Sequence, residues 1–330
     1  MGEVSIYDVA RAAGVHSSTV SRAFSHPQVV SPGTRERILR LADEMGYRVN
    51  PLGQALRRGA SNLVPLIVPD ITNPFYGELA KAIAAAAGPR GYEVVLCVTE
   101  GVAGRTSRYL STMESLFAPF AIVAPSTRID MAALGHSTLA RRMIVIDRVP
   151  ADLDVSTVFI DNELGIRLAF EHLYRLGHRR ISYLTGTVGT FSAQERLEAY
   201  LALARAAGIE AVVLRGGYDP ATSRKAVSAF AALPARPSAV MASNDLAGFG
   251  FISHVAELGI RVPDDVSVTG FDGVAIGANF NPPITTVAQP LADLGRFAVE
   301  LAERFAATGT IEHVQLVPEL LVRGSTRALA

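Results

Sequence analysis

The stretch that most constrains this chain lies near its start, where Gly14 separates two short segments that carry apolar residues at helical spacing. Ser5 and Asp8 open the first segment with an S-x-x-D pattern, which supplies side chains able to cap the first free amides of a helix. A turn at Gly14 needs a left-handed backbone, which glycine adopts without a Cβ penalty. The apolar residues of both segments fall where a two-helix seam requires them: Val9, Ala13, Val15, Val20 and Ala23. The pattern predicts two short helices joined by a tight turn, a helix-turn-helix.

The outward face of the second helix consists of small hydrogen-bonding groups and one arginine. Its members are Ser17, Ser18, Ser21, Arg22 and Ser25. Small side chains let a helix approach closely, and a guanidinium offers a fork of donors, so this face is typical of a helix that enters the major groove of DNA. Either His16 or Ser17 is placed to cap this helix.

A third helix is predicted to start at Ser31-Pro32, a cap followed by a first-turn proline. Further along, residues 50–59 would place Leu52 and Leu56 on one face if this stretch were helical. With a glycine inside and only nine or ten residues, it is too short to be stable as an isolated helix in water. It is therefore either a linker or a helix that forms only on a partner.

Charge is unevenly distributed along the 330 residues, although the formal net charge is zero. Residues 1–60 hold eight arginines against five acidic side chains, so the head carries a surplus of three and the remainder a deficit of three. An excess of positive charge on the head, with a slightly acidic body, is typical of a protein whose head binds the phosphate backbone of a nucleic acid. The single Cys97 lies in an apolar run and is expected in the core. Because no apolar run reaches membrane-spanning length and the N-terminus lacks a signal-peptide pattern, a cytoplasmic location is expected.

From residue 62 onwards, short apolar runs alternate with alanine- and leucine-rich stretches of helical spacing. The runs have the character of buried parallel strands: 63–68, 93–98, 121–124, 143–146, 158–160, 181–184, 211–214, 239–242 and 266–269. The helices predicted between them are 77–88, 162–176, 193–207, 222–232 and 246–258. This alternation predicts a doubly wound α/β body with parallel sheets. So many strands should divide into two lobes, with a ligand at the carboxyl ends of the strands.

Motifs that follow one another through nearly the whole chain carry a family resemblance. In the head they include Tyr7-Asp8-Val9-Ala10, Ala13-Gly14-Val15, Thr19-Val20-Ser21-Arg22, Gly46-Tyr47 and Asn50-Pro51. In the body they include Val68-Pro69-Asp70-Ile71-Thr72-Asn73-Pro74-Phe75, Gly177-His178-Arg179-Arg180-Ile181, Ser243-Asn244-Asp245 and Gly270-Phe271-Asp272. The chain resembles the LacI/GalR (lactose-repressor) family of bacterial transcription regulators. The resemblance implies an all-α helix-turn-helix head at 1–48, a hinge helix or linker at 49–61, and an α/β two-lobed body for effector binding and dimerisation at 62–330. That body would resemble the periplasmic sugar-binding proteins, with crossings between the lobes near 161, 289 and 321.

The resemblance also implies which side chains of the head meet DNA. Ser17, Ser18 and Arg22 would reach base edges, where Arg22 can offer its fork to guanine O6 and N7. The remaining residues would lie along the DNA surface, most of them against phosphates: Tyr7, Thr19, Ser21, Ser25, Ser31, Thr34, Tyr47 and Asn50. His16 departs from the small hydroxyl residue usual in the family, and would either meet a phosphate or cap the helix. Leu56 matches a leucine that paired hinge helices insert into the minor groove; the alternative is that it packs on the body.

In the body, the resemblance implies effector contacts from Asp147, Arg196, Asn244, Asp272 and Gln289, and three aromatic residues are candidates to stack on the effector: Phe75, Phe191 and Tyr218. Carboxylates, a guanidinium and amides give paired hydrogen bonds to vicinal hydroxyls, while aromatic rings stack on a sugar face. A sugar is therefore the expected effector, and a purine or other metabolite is the alternative. Structural roles compete at several positions: Asp272 as a helix cap, Arg196 in a surface ion pair with Glu195 or Glu198, and the aromatic residues in the core.

Taken together, these patterns predict a homodimeric regulator that binds a near-palindromic operator, most simply as a repressor, with a small molecule between the lobes setting its affinity. Residues 323–330 carry none of the leucine heptads that the family's tetramers use. Since the chain holds no signature of a catalytic centre, a nucleotide-phosphate loop or a zinc site, an enzyme, a cofactor and a metal are not expected. Two rival classes are a solute-binding receptor, which would need a signal peptide and no basic head, and an α/β enzyme fused to a DNA-binding head, which turnover of a bound ligand would support.

Overall fold

The computed structural model describes residues 4–48, 51–125, 137–147, 154–187, 189–217 and 220–329. The chain forms two compact units, Met1–Ser61 and Asn62–Ala330. Two of the predicted site residues, Asn50 and Tyr218, lie outside the described residues.

The first unit is built from short helices packed around a small apolar core. They are α1 (Ile6–Ala13), α2 (Ser17–Ser25), α3 (Pro32–Glu44) and α4 (Pro51–Arg58). The Asp8 carboxylate accepts a hydrogen bond of 3.0 Å from the Ser5 backbone N–H, and Gly14 ends α1 with a φ of 63°. The buried core residues are Val9, Ala10, Ala13, Val20, Ala23, Ile38 and Ala42. The predicted helix-turn-helix is therefore confirmed, with its seam where the spacing placed it.

Two expectations for the helix ends are refined by the structure. His16, rather than Ser17, is the N-cap of α2, because its Nδ1 accepts a hydrogen bond from the Ser18 backbone N–H. Ser31 does precede α3, but its hydroxyl donates to Thr34 Oγ1 at 2.9 Å instead of accepting from a helix amide. The stretch after the head is a helix, α4, rather than an extended linker.

The second unit contains two sheets, each of six strands among the described residues. The first has the order β11-β5-β4-β3-β1-β2, formed by β1 (Leu63–Val68), β2 (Glu93–Val98), β3 (Ala121–Val123), β4 (Met143–Ile146), β5 (Ser156–Ile160) and β11 (His313–Leu316). The second has the order β12-β10-β9-β8-β6-β7, formed by β6 (Ile181–Leu184), β7 (Val212–Leu214), β8 (Ala239–Ala242), β9 (Ser267–Asp272), β10 (Thr285–Ala288) and β12 (Glu319–Leu321). All neighbouring strands are parallel except the antiparallel pair β10 and β12.

Helices connect and cover these strands, as a doubly wound fold requires. They are α5 (Pro74–Ala87), α6 (Arg105–Ser115), α7 (Asn162–Arg175), α8 (Phe191–Ala206), α9 (Pro220–Ala231), α10 (Asp245–Glu257) and α11 (Leu291–Thr308). Each sheet with its helices is one lobe of the body. Single-turn helices at Pro27–Val29, Gly88–Arg90, Leu139–Arg142 and Ala275–Ala278 complete the described structure.

The chain passes between the two lobes at three places. β5 of the first lobe leads through Asp161 to α7, and β10 of the second lobe leads through Gln289-Pro290 to α11, which packs on α5. The last crossing lies between Leu316 and Glu319, a few residues before the expected position at 321. The cleft between the lobes is thus spanned by three backbone segments.

Candidate DNA-binding and effector-binding sites

In the first unit, α2 forms one wall of a surface groove of about 420 Å³. The groove is lined by Ile6, Tyr7, Ser17, Ser18, Ser21, Arg22, Ser25, His26 and Arg57. Ser18 and Arg22 are exposed, whereas Ser17, Ser21 and Ser25 are half-buried. Among the described residues that line this groove, two carry a guanidinium group and none carries a carboxylate, so its electrostatics suit a phosphate-bearing partner.

The groove contains six of the predicted DNA-binding residues, while others lie elsewhere on the head. His16, Thr19, Ser31, Thr34 and Tyr47 do not line it. The Tyr47 ring packs on Phe24 with ring centroids 5.9 Å apart, and burial raises the pKa of the Tyr47 hydroxyl while Arg57 opposes the shift. Arg57, which lines the groove from α4, was not singled out in the sequence because only its place in the fold brings it there. Leu56 in the same helix is 69% exposed.

In the second unit, a cavity of about 260 Å³ lies between the lobes. It opens at the carboxyl ends of strands from both sheets, where a ligand site is expected in α/β folds. Six predicted effector residues line it: Phe75, Asp147, Arg196, Asn244, Asp272 and Gln289. Polar side chains absent from the prediction also line it, among them Asp70, Asn73, Asn162, Thr187, Thr190 and Ser192.

Arg196 is the centre of the polar network in this cavity. Its side chain is 6% exposed, and it donates from Nε to Asn162 Oδ1 at 2.8 Å and from a terminal nitrogen to the Ser243 carbonyl at 2.7 Å. It also lies 3.8 Å from Asp272 Oδ1 and covers the Phe271 ring at 3.5 Å from the ring centroid. The alternative of a surface pair with Glu195 or Glu198 is therefore wrong, because α8 directs this side chain inward.

Asp272 ends β9 and faces Arg196. Gln289 Nε2 donates to Asp272 Oδ1 at 2.8 Å, so two of the predicted residues are held together. Burial raises the pKa of Asp272 to about 6, against the opposing effect of Arg196. The side chain caps no helix here; its carboxylate instead forms part of a buried hydrogen-bonding surface in the cavity.

Helix caps position further groups at the cavity. Asn73, the cap of α5, accepts from the Phe75 N–H at 3.1 Å, and Asn244, the cap of α10, accepts from the Ala247 N–H at 2.8 Å. Thr190 caps α8 by accepting from the Ala193 N–H at 3.2 Å. Because these caps sit where strands end, the residues that start the helices also line the ligand cavity.

Two aspartates of the cavity have an unusual backbone conformation. Asp147 has a φ of 124° and Asp272 a φ of 113°. Non-glycine residues with positive φ carry strain of about 1–3 kcal/mol and cluster at binding sites. The strain thus falls on two of the carboxylate residues that line the cavity.

Not every predicted aromatic residue faces the cavity. Phe75 lines it at 9% exposure, together with Tyr76 and Phe159. Phe191, the first residue of α8, does not line it, although its neighbours Thr190 and Ser192 do. Successive residues of a helix point about 100° apart, so α8 directs these small polar groups, and not the ring, to the cavity.

Within the described residues, no three or more His, Cys, Asp or Glu side chains are grouped in a way that could hold a metal ion. Likewise, no helix in the described part of the chain is long and apolar enough to cross a membrane.

A helix-turn-helix head followed by a two-lobed body with a polar cleft defines the class of ligand-responsive DNA-binding proteins. Comparison with known sequences agrees: residues 5–50 match the bacterial regulatory proteins of the lacI family, and residues 170–326 match the periplasmic binding protein-like domain. The HTH-type transcriptional repressor CytR of Escherichia coli (strain K12) is 32% identical over 330 residues, which cover 98% of this chain and 96% of CytR. The chain belongs to the lacI family and is a DNA-binding regulator of transcription, not an enzyme.

Solved structures show the same architecture. A lac repressor dimer bound to operator and the anti-inducer ONPF has a TM-score of 0.86 and 26% identity, covering 99% of this chain and 100% of that one. A complex of the transcriptional regulator CelR with cellobiose has a TM-score of 0.71 and 28% identity, covering 98% of this chain and 100% of that one. The fold class expected from the sequence is thereby confirmed.

Proposed function

We propose that this chain represses transcription as a homodimer bound to a near-palindromic operator, and that a sugar-like effector between its lobes sets the operator affinity. The observation that carries the proposal is the convergence of buried Arg196 and Asp272 with Gln289 in the interlobe cavity. A guanidinium, a carboxylate and an amide that converge on one cavity can bind neighbouring hydroxyls in pairs. Solved relatives bound to operator and to cellobiose support both halves of the proposal.

The DNA half rests on the groove beside α2. Recognition helices contact base edges with residues near their N-terminus, which in α2 are Ser17 and Ser18, and Arg22 lies one turn further on. Exposed Leu56 on α4 provides an apolar side chain of the kind that wedges into a minor groove. Because operator DNA lies in the cytoplasm of a bacterium, the proposal places the protein there.

Control of the operator by the effector is a matter of linkage. The effector changes how the lobes meet, the lobes change the spacing of the two α4 helices in the dimer, and operator affinity changes with that spacing. A coupling of this kind is reciprocal, since the operator must change effector affinity by the same factor.

Effector binding is tested by a thermal-shift screen of sugars and nucleosides, followed by calorimetry on each ligand that stabilises the body. Asp272→Asn removes the charge of one cavity carboxylate with little change of shape and should abolish binding. Asp293→Asn, on the exposed face of α11, is the matched control and should bind as the wild type does. Binding of a nucleoside but of no sugar would contradict the proposal that the effector is sugar-like. Normal effector binding by Asp272→Asn would contradict the proposed binding site around Asp272.

DNA reading is tested by titrating operator and random duplexes at one salt concentration. Arg22→Ala should remove the preference for operator while retaining non-specific binding, which depends on phosphate contacts. Arg40→Ala removes the same charge from α3, outside the groove, and should retain the preference. Equal losses on both duplexes for Arg22→Ala would make Arg22 a phosphate contact only.

The proposed assembly is tested by light scattering on the full chain. It should find a dimer, and a monomer at micromolar concentration would contradict the proposed assembly.

A further inference from the structure

His16 makes two contacts with the same residue of the recognition helix. Its Nδ1 lies 3.3 Å from the backbone nitrogen of Ser18 and 2.9 Å from the Ser18 hydroxyl oxygen. The first contact is the N-cap of α2, and the second reaches a side chain that is exposed in the groove proposed to meet DNA. Ser18 thus carries a hydroxyl that is already engaged before any base approaches.

The chemistry of these two contacts decides where the protons are. A backbone N–H can only donate, so Nδ1 must be the acceptor and the ring proton must reside on Nε2. An unprotonated Nδ1 cannot donate to the Ser18 oxygen. The 2.9 Å contact is therefore a hydrogen bond from the Ser18 hydroxyl to His16 Nδ1, and it uses the one hydrogen that the hydroxyl has.

We infer that His16 is a positioning residue that converts Ser18 into a hydrogen-bond acceptor for base recognition. A free serine hydroxyl reads either donors or acceptors in the major groove. With its hydrogen held by His16, Ser18 presents only lone pairs. It then accepts from adenine N6 or cytosine N4, and it has no hydrogen for the N7 and O6 of guanine or the O4 of thymine. This inference rests on the proposed placement of α2 in the major groove.

The predicted consequence is that, at one position of each half-site, the protein prefers a base with an amino group in the major groove (adenine or cytosine) over a base with a keto group there (guanine or thymine). We call this the amino preference. The Ser18-dependent base should be adenine or cytosine on the contacted strand. One hydrogen bond gained or left unmade at this position corresponds to about a fivefold difference in affinity.

Two substitutions at position 16 separate this role from a phosphate contact. His16→Asn keeps an acceptor in reach, because an asparagine Oδ1 at an N-cap accepts from the same backbone N–H and leaves a lone pair for the Ser18 hydroxyl. His16→Ala removes the acceptor and releases the hydroxyl hydrogen. Both variants lose the imidazole, so a simple imidazole–phosphate contact would weaken both equally on every sequence.

The experiment selects duplexes from a randomised pool with the full-length wild type and with Ser18→Ala, which locates the base that Ser18 reads. Wild type, His16→Asn and His16→Ala are then titrated against duplexes that carry A, C, G or T at that base, all at one salt concentration. The wild type and His16→Asn should favour A or C about fivefold, and His16→Ala should fall below about twofold. Each ratio compares the affinities of one protein for duplexes that differ at a single base. Any loss of helix-cap stability in His16→Ala therefore affects both affinities equally and leaves the ratio unchanged.

Three results would overturn the inference: a wild-type preference for G or T at the Ser18-dependent base, full amino preference in His16→Ala, or a Ser18→Ala selection identical to that of the wild type. A wild type that selects no sequence at all would instead refute the proposed function, and the inference with it. An amino preference retained by His16→Asn and lost by His16→Ala supports it.

Discussion

Of two buried carboxyl groups in the second lobe, Asp272 and Asp245, only Asp272 lines the interlobe cavity and faces the guanidinium of Arg196. Asp272 has that contact, whereas Asp245 is fully buried and bonded to the Thr286 hydroxyl at 2.5 Å and the Val274 N–H at 2.8 Å. Burial, and to a lesser extent the charge of nearby Asp272, raise the pKa of Asp245 to about 8, against the opposing effect of its hydrogen bonds from Thr286 and Val274. At neutral pH, the carboxyl group of Asp245 is therefore mostly protonated and uncharged. Its hydrogen bonds connect β10, through Thr286, with the segment that follows β9, through Val274.

Replacement of this carboxyl should flatten the pH dependence of stability. Between its ordinary pKa of 3.8 and about 8, the folded protein holds a proton at Asp245 that the unfolded chain has released, so the stability falls as the pH rises. Above pH 7 the half-buried His172 and the buried His178, whose pKa values are lowered by burial, are already neutral and add little slope. We expect the free energy of unfolding of the body to fall by about 1 kcal/mol from about pH 7 to pH 8.

The amide of Asp245→Asn mimics the neutral acid, so this variant should lose most of that slope, measured by urea unfolding at both pH values. Asp293→Asn, exposed on α11, serves as the control and should keep the wild-type slope. An equal slope in Asp245→Asn and the wild type would show that Asp245 is ionised in the folded protein.

At the scale of elements, α4 is the helix with the least intrinsic support. It has eight residues, of which Gly53 is one, and a helix of this length is marginal alone in water. Alanine favours a helix by about 1 kcal/mol relative to glycine, so Gly53→Ala should lower the free energy that each subunit needs to order α4 when it docks on the operator. For a dimer, operator binding should therefore tighten by about 30-fold. Titration of both proteins against one operator at fixed salt measures this. Unchanged or weaker binding would indicate that α4 is already fully formed, or that Gly53 is needed for close approach to DNA.

The packing of α11 on α5 depends on one glycine. A Cβ at Gly295 would lie 2.6 Å from the backbone carbon of Ala82, so the two helices could not approach as they do. Gly295→Ala should destabilise the body by about 1–3 kcal/mol, as overpacking of a tight contact does. Gly77→Ala, in α5 with open space around it, is the matched control and should be neutral or slightly stabilising. Equal melting temperatures of the two variants would contradict this packing.

At the scale of the whole molecule, one side-chain hydrogen bond joins the first lobe to the second. Glu78 on α5 accepts from the backbone N–H of Ala275 in the second lobe at 2.8 Å. This bond exists only while the lobes are apposed, so it should favour the state that encloses the effector. Glu78→Ala should weaken effector binding about fivefold, and Glu78→Gln, which keeps an acceptor, should bind nearly as the wild type does. Calorimetry with equal affinities for all three proteins would remove Glu78 from lobe closure.

The accuracy of the sequence-based predictions depended on how local each signal was. The helix-turn-helix was predictable in detail, because the Ser5–Asp8 capping box, Gly14 and the apolar seam are specified within a few residues of one another. Strands such as β1 were predicted to the residue, since burial on both faces leaves an uninterrupted apolar run. In contrast, β10 was missed because its threonine hydroxyls are buried in hydrogen bonds with distant partners: Thr286 Oγ1 donates to Asp245, and Thr285 Oγ1 accepts from the Arg323 backbone N–H.

The cavity could be predicted only in part for the same reason. Four of its residues lie at or just after the end of a strand, and the carboxyl ends of parallel strands meet at one edge of a sheet: Asp147, Asn244, Asp272 and Gln289. The roles of Asn162 and Glu78 depend on contacts with residues far along the chain, for which the sequence has no local signal.

The central claim is that the interlobe cavity and the operator groove act on one another. The most direct measurement is effector affinity, by calorimetry on one preparation of the full chain, with and without saturating operator. It is paired with operator affinity with and without saturating effector. We predict that both affinities change by the same factor, of about 5- to 150-fold, and that Asp272→Asn abolishes the change without altering operator affinity in the absence of effector. Operator affinity that is independent of a bound effector would contradict the account.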